Sequence, residues 1–185
     1  KGTGNAAANT LRGNTGDNTL NGGAGVDTLE GAEGNDTYVV DDPNDVVIER
    51  TDTNPAGVLS GLSNRSTGDR EDPASIGDVA DALRSNASSY TLPTGVESAT
   101  LLLGAGNGAL QGNSDANPIT GNAQANLLVG GAGNDTLAGG TGNDMAVFSG
   151  ARSDYLVEKL AGGVVRVTDT NLTNGDDGVD QLTGI

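Results

Sequence analysis

A nine-residue period constrains this chain more than any other feature. From 22 to 39 it reads GGAGVDTLE then GAEGNDTYV, and from 130 to 147 it reads GGAGNDTLA then GGTGNDMAV. Self-similarity at so short and fixed a period marks a solenoid. Numbered from the first glycine, each copy places turn-forming residues at the first four positions, aspartate at the sixth and an apolar residue at the eighth. Glycines at the first, second and fourth places let the backbone take positive φ and turn its carbonyls toward one point. The aspartate adds a carboxylate to that ring of oxygens. An all-oxygen, anionic, flexible shell suits a hard cation, and calcium accepts irregular coordination more readily than magnesium.

Weaker copies extend the register outward: GNAAANTLR and GNTGDNTLN before the first pair, GNSDANPIT and GNAQANLLV before the second. Sixth positions are therefore Asn9, Asn18, Asp27 and Asp36 in one block and Asn117, Asn126, Asp135 and Asp144 in the other. Eighth positions are Leu11, Leu20, Leu29 and Tyr38, then Ile119, Leu128, Leu137 and Ala146. Laid over each other at an offset of 108 residues, the blocks agree at 20 of 36 positions. Two readings of the asparagine copies stand side by side. They close turns without metal, because an asparagine amide bonds its own backbone, or they form weaker sites with one carboxylate.

The nonapeptides resemble those of the repeats-in-toxin (RTX) family, whose consensus is GGxGxDx followed by an apolar and then any residue. The resemblance implies an all-β fold, a right-handed parallel β-roll with two repeats per coil and several calcium ions held between turns of neighbouring coils. It further implies that one turn supplies the carbonyls of its second and fourth residues and its sixth side chain. The turn 18 residues on supplies the carbonyls of its first and third residues and its own sixth side chain. On this chain Gly23, Gly25 and Asp27 would face Val40, Asp42 and Asp45, since VDDPNDVVI is a degenerate copy. Asn14, Gly16 and Asn18 would face Gly31, Glu33 and Asp36, and Asn122, Gln124 and Asn126 would face Gly139, Thr141 and Asp144. Asn113, Asp115 and Asn117 would face Gly130, Ala132 and Asp135, while Gly131, Gly133 and Asp135 require a partner turn near 150–154.

Charge points the same way. The chain carries 9 basic and 25 acidic residues, a net charge of −16. Two carboxylates about 5 Å apart repel by roughly 3 kcal/mol at an effective dielectric near 20. Each coil buries little beyond one leucine-sized side chain per repeat. Metal binding is therefore expected to be coupled to folding. The chain has no cysteine, so disulfides cannot stabilise it, and extracellular calcium would serve instead. No run of 18 apolar residues is present to span a membrane, and the opening residues do not read as a signal peptide. The family resemblance implies a secreted or extracellular protein that leaves by type I export and uses that secretion machinery as a partner. The start at Lys1 and the stop at Ile185 within DGVDQLTGI suggest a segment of a larger protein with flanking domains.

Five regions are expected, in one continuous solenoid: a first β-roll block over 1–53, an insertion over 54–88, a linking β-coil over 89–111, a second block over 112–147 and a cap over 148–185. In the insertion, Ile76, Val79 and Leu83 fall at helical spacing behind Ser75, which predicts a short amphipathic helix in SIGDVADALRSN. In the cap, DYLVEKL and VVRVTDT around Gly162 and Gly163 predict a β-hairpin. The stretch 175–183 returns to the nonapeptide frame with Asp180 sixth and Leu182 eighth, and Asp169, Asp176 and Asp177 beside it are further ligand candidates.

Without histidine or cysteine, the usual zinc sites, Ser-His-Asp triads and thiol nucleophiles are excluded. Asp41-Asp42 and Asp176-Asp177 are carboxylate pairs of the kind glycosidases use, but three tyrosines and one phenylalanine offer little platform for sugar. The segment DDPNDV lacks the glycine and the distal glutamate of an EF-hand. Charge sign disfavours nucleic acid. The expectation is a non-catalytic calcium-binding module, with a structural or adhesive surface spacer as the alternative. An ice-binding face is disfavoured because the seventh-position threonines Thr10, Thr19, Thr28 and Thr37 give way to Pro118, Leu127, Thr136 and Met145.

Overall fold

The computed structural model describes residues 1–32, 34–49, 82–173 and 176–185. Successive strands alternate between two faces of a flattened coil. One face carries β1 (Gly2–Thr3), β3 (Thr19–Asn21), β5 (Thr37–Val40), β7 (Ala82–Ser85), β9 (Ser98–Leu101), β11 (Pro118–Thr120) and β13 (Thr136–Ala138), hydrogen-bonded in that order. The other carries a three-stranded sheet of β2 (Thr10–Arg12), β4 (Thr28–Glu30) and β6 (Val46–Ile48). It also carries a four-stranded sheet of β8 (Ser89–Thr91), β10 (Ala109–Gln111), β12 (Leu127–Val129) and β14 (Met145–Val147). Every pairing among these strands is parallel, and in the repeat blocks each residue meets the one 18 positions on, Leu20 with Tyr38 and Leu128 with Ala146. This is a β-solenoid with two nonapeptides per coil.

Strands of three residues suffice because only the central, eighth-position side chain points inward. These side chains stack into two internal columns, Leu20, Tyr38, Leu83, Ala99, Ile119, Leu137 and Leu182 against Leu29, Val47, Tyr90, Leu110 and Leu128, all buried. The ladder runs past the strand ends into the turns, as when Gly13 N–H donates to the Glu30 carbonyl at 2.7 Å and Gly112 N–H to Val129 at 2.8 Å. Tight inter-coil bonding thus fixes the register of the turns, where the carboxylates lie.

The expected helix requires correction. Residues 75–81 lie outside the described residues, but Ala82–Ser85 is a strand. Leu83 is fully buried between Tyr38 and Ala99, and the Ala82 and Asn86 N–H groups donate to the carbonyls of Asp36 and Val40. An open sheet edge offered by β5 satisfies this backbone and places Leu83 in the column, outweighing the helical spacing of three apolar residues.

At the far end, β15 (Tyr155–Lys159) and β16 (Val165–Asp169) form the expected antiparallel hairpin, turning at Gly162 (φ 74°) and Gly163 (φ 83°). The strand β17 (Val179–Thr183) pairs antiparallel with β16 and parallel with β13, so the hairpin extends the first face. Among the described residues no helix is long and apolar enough to cross a membrane.

Candidate metal sites in the turns

The sixth side chain of each turn folds back over the first residue of the same turn. A β-carbon at Gly22, Gly130 or Gly139 would collide with the carboxylate of Asp27, Asp135 or Asp144. Glycine at the first place is therefore a steric requirement of the sixth side chain folded over it, and at Gly139 of the Gly184 carbonyl as well. At the second and fourth places the reason differs. Gly131 and Gly133 have φ of 103° and 110°, and β-carbons there would run into the Asn113 and Asp115 carbonyls of the preceding coil. Those carbonyls therefore point toward the next coil's turn. Ala32 occupies a second place with φ 79°, the sole non-glycine residue at positive φ among the described residues.

The sixth side chains link coil to coil. One carboxylate oxygen, Oδ1, accepts the sixth-position N–H of the previous coil: Asp27 from Asn9 (2.7 Å), Asp36 from Asn18 (2.6 Å), Asp45 from Asp27 (2.8 Å), Asp135 from Asn117 (2.8 Å) and Asp144 from Asn126 (2.9 Å). For Asp27, Asp135 and Asp144 the other oxygen, Oδ2, is buried and has no hydrogen-bond partner. Burying an anionic oxygen without a donor costs several kcal/mol in order of magnitude. Burial is the main reason the Asp36 carboxyl is raised above the ordinary carboxylate range, with the nearby charge of Asp17 adding to it.

The asparagine turns are built differently. The Oδ1 atoms of Asn9, Asn18, Asn117 and Asn126 accept the second-position N–H of their own turn, from Asn5, Asn14, Asn113 and Asn122, at 2.7 to 2.8 Å. The amide oxygens of Asn18 and Asn126 thus already serve their own turns. Gly31, Gly139 and Thr141 stand in turns facing those of Asn18 and Asn126, while Glu33 lies outside the described residues.

The densest carboxylate group joins the turn of Asp27 to the next coil. Asp27, Asp41 and Asp45 each place a carboxylate oxygen within 4.8 Å of the others. Asp45 Oδ2 accepts the N–H groups of Asp41 (3.1 Å) and Asp42 (3.2 Å). The Asp42 side chain stays in its own turn, accepting from the Asn44 backbone and amide, and its carbonyl accepts from Asp45 N–H. The third carboxylate in this group is thus that of Asp41, while the expected contribution of Asp42 is only its carbonyl, which here accepts from Asp45 N–H. The signal was the aspartate at the second place, where the strong copies have glycine. Local desolvation, followed by the charges of Asp45, Asp27 and Asp42, raises the Asp41 carboxyl even though the residue as a whole is exposed.

The second dense group crosses the hairpin. The turn facing Gly131, Gly133 and Asp135 is not at 150–154, which instead forms a 3-10 turn leading into β15. It is the turn of Asp176, Gly178 and Asp180. Asp135 N–H donates to Asp180 Oδ1 at 2.7 Å, Val179 N–H to Asn134 Oδ1 at 2.9 Å and Gln181 N–H to the Asp135 carbonyl at 2.9 Å. Burial, opposed by the Asn117 N–H and reinforced by the charge of Asp177, pushes Asp135 up to about 6. Burial again, with the charges of Asp135 and Asp177, pushes Asp180 up to about 7. Asp177 and Asp169 have structural work: Asp177 accepts from the Ser149 backbone and hydroxyl and from the Tyr155 hydroxyl, and Asp169 accepts the Asp177 N–H at 3.1 Å.

The donor set is carboxylate and carbonyl oxygen throughout, with buried oxygens that no protein donor reaches, so these residues fit a hard divalent cation. Residues 3–38 and 111–146 match the model of the RTX calcium-binding nonapeptide repeat, in four copies. No curated protein matches the chain. The chain carries RTX calcium-binding repeats on a parallel β-solenoid.

Proposed function

We propose that this chain is the calcium-folded segment of a larger secreted bacterial protein, exported largely unfolded by a type I machinery and folded on the calcium it meets outside. The RTX repeats make it a calcium-binding module; the secretory reading extends that. The observation that carries the calcium reading is the set of buried Oδ2 atoms of Asp27, Asp135 and Asp144 without a donor.

Bound calcium supplies the positive charge and the six to eight oxygen contacts that such turns leave unmet. Asp27, Asp41 and Asp45 would hold it with the Gly23 and Gly25 carbonyls, and Asp135 and Asp180 with those of Gly131 and Gly133. Asp36 and Asp144 would serve junctions whose other sixth residue is asparagine. Without that charge, the net −16 of the chain opposes closure of the coils. An acidic, cysteine-free chain is suited to remaining largely unfolded in a low-calcium cytosol, above all in its aspartate-turn coils. We assign the segment no catalytic role, since it has neither histidine nor cysteine; the partners of this reading are its flanking domains and the export machinery.

The test is a calcium titration followed by far-ultraviolet circular dichroism, with magnesium as control. A calcium-specific coil-to-β transition, lost in the Asp27→Ala/Asp135→Ala variant, is expected. A spectrum indifferent to calcium would overturn the reading.

A further inference from the structure

The coils in the middle of the solenoid are joined by a different chemistry. Asn113 Nδ2 donates to the carbonyls of Pro93 (2.9 Å) and Val96 (2.9 Å) in the preceding coil, and Asn117 Nδ2 donates to that of Glu97 (3.0 Å). On the other face, Asn122 Nδ2 donates to the carbonyls of Leu102 (3.0 Å) and Gly106 (3.0 Å). The opposite end of each amide is occupied too: Asn113 Oδ1 accepts from Asp115 N–H, Asn122 Oδ1 from Gln124 N–H and Asn117 Oδ1 from Asn113 N–H. Donors meet each amide oxygen and carbonyls meet each amide nitrogen, so the orientation of these groups is determined by their surroundings.

We infer that Asn113, Asn117 and Asn122 decide which coil junctions take calcium, because their amide groups stand where a cation would gather the carbonyls of the preceding turn. The inference rests on the calcium reading of the aspartate turns. An NH₂ group offers two partly positive hydrogens to carbonyl oxygens and needs no counter-charge. At the Asn122 junction neither sixth residue, Gly108 nor Asn126, carries a carboxylate. Where the second residue is Gly23, Gly131 or Gly140, no side chain can reach back, and the sixth residue is Asp27, Asp135 or Asp144. The second and sixth positions therefore act together: asparagine at both bridges to the preceding coil by an amide, while aspartate at the sixth place, with glycine, alanine or aspartate at the second, bridges through a cation. Calcium removal would loosen the two ends of the roll and leave the amide-bridged coils between β9 and β12 paired.

Hydrogen–deuterium exchange read by mass spectrometry on the full chain, in calcium and in chelator, tests this. In chelator, peptides over β4 and β13 should lose protection by about ten-fold or more, while those over β10 and β11 should change less than about three-fold. If β10 and β11 lose protection together with β4 and β13, the inference is wrong and the calcium reading stands. If no peptide responds to calcium, the calcium reading falls and the contrast falls with it. The Asn113→Gly/Asn117→Asp variant should make protection of β9 and β11 calcium-dependent; protection still independent of calcium there would overturn the role of these amides. Asn122→Ala should lower protection of β10 and β12 equally with and without calcium.

Discussion

The backbone N–H of Asp135 donates to Oδ1 of Asp180 at 2.7 Å although 45 residues separate them, where every other link of this kind spans 18. The chain leaves the roll after β14, builds a hairpin and returns to the register it left. Asp180→Ala removes both the acceptor for a buried N–H and one carboxylate of the junction. A loss of about 1–3 kcal/mol is expected, with a raised calcium midpoint and faster exchange over Tyr155–Lys159 and Val165–Asp169. Unchanged exchange in the hairpin would show that this bond does not hold the cap.

The raised carboxyls of that junction set a pH dependence. Burial pushes the Asp135 and Asp180 carboxyls up to about 6 and about 7 in the fold without bound metal, from an ordinary value of 3.8. A carboxyl with a raised folded pKa favours folding fully below its unfolded pKa, and that contribution fades as pH rises through the folded value. The calcium-free chain should therefore hold more β structure at pH 5 than at pH 7.5. In saturating calcium the order should reverse, because protons compete for the same oxygens. Circular dichroism in metal-stripped buffers across that range checks both signs.

Much of this architecture is legible in the sequence because each nonapeptide carries its own instructions. The period gives the 18-residue coil, the eighth positions give the columns and Gly162-Gly163 gives the hairpin. What escaped local reading depends on the partner offered from elsewhere. Leu83 sits at helical spacing from Ile76 and Val79, yet it is a strand residue because β5 presents an open edge. Asp180 is Asp135's partner only because the hairpin closes on itself, which no fixed offset predicts. Asp41 joins Asp27 and Asp45 through a turn whose consensus has decayed. The backward reach of the Asn113 and Asn122 amides is invisible in a repeat taken alone, since the carbonyls they find belong to coils that lack the motif.

Ala32 pays the usual conformational cost of a side chain in the left-handed region, at φ 79° where the strong copies place glycine. Ala32→Gly relieves that strain but enlarges the freedom of the unfolded chain. The net gain should be up to about 1 kcal/mol, or about 2–4 °C in Tm for a chain of this size. Thermal unfolding in calcium measures it, and a lower Tm would show that the methyl group packs usefully.

Gly130 separates steric from conformational demand. Its φ is not in the left-handed region, so the backbone admits any residue, and a β-carbon is forbidden chiefly by the Asp135 carboxylate folded over it. Gly130→Ala should cost about 1–3 kcal/mol in calcium, because the carboxylate must leave its position between the coils. If the clash is with the carboxylate, adding Asp135→Ala relieves most of it, leaving only the Asp135 β-carbon at 3.0 Å, and the double variant should lose less than the sum of the two single changes. It should also lose calcium binding at this junction. Urea unfolding of the four proteins gives the coupling. Additive losses would place the strain in the backbone of the turn, and the first glycine would then have a role other than housing the carboxylate.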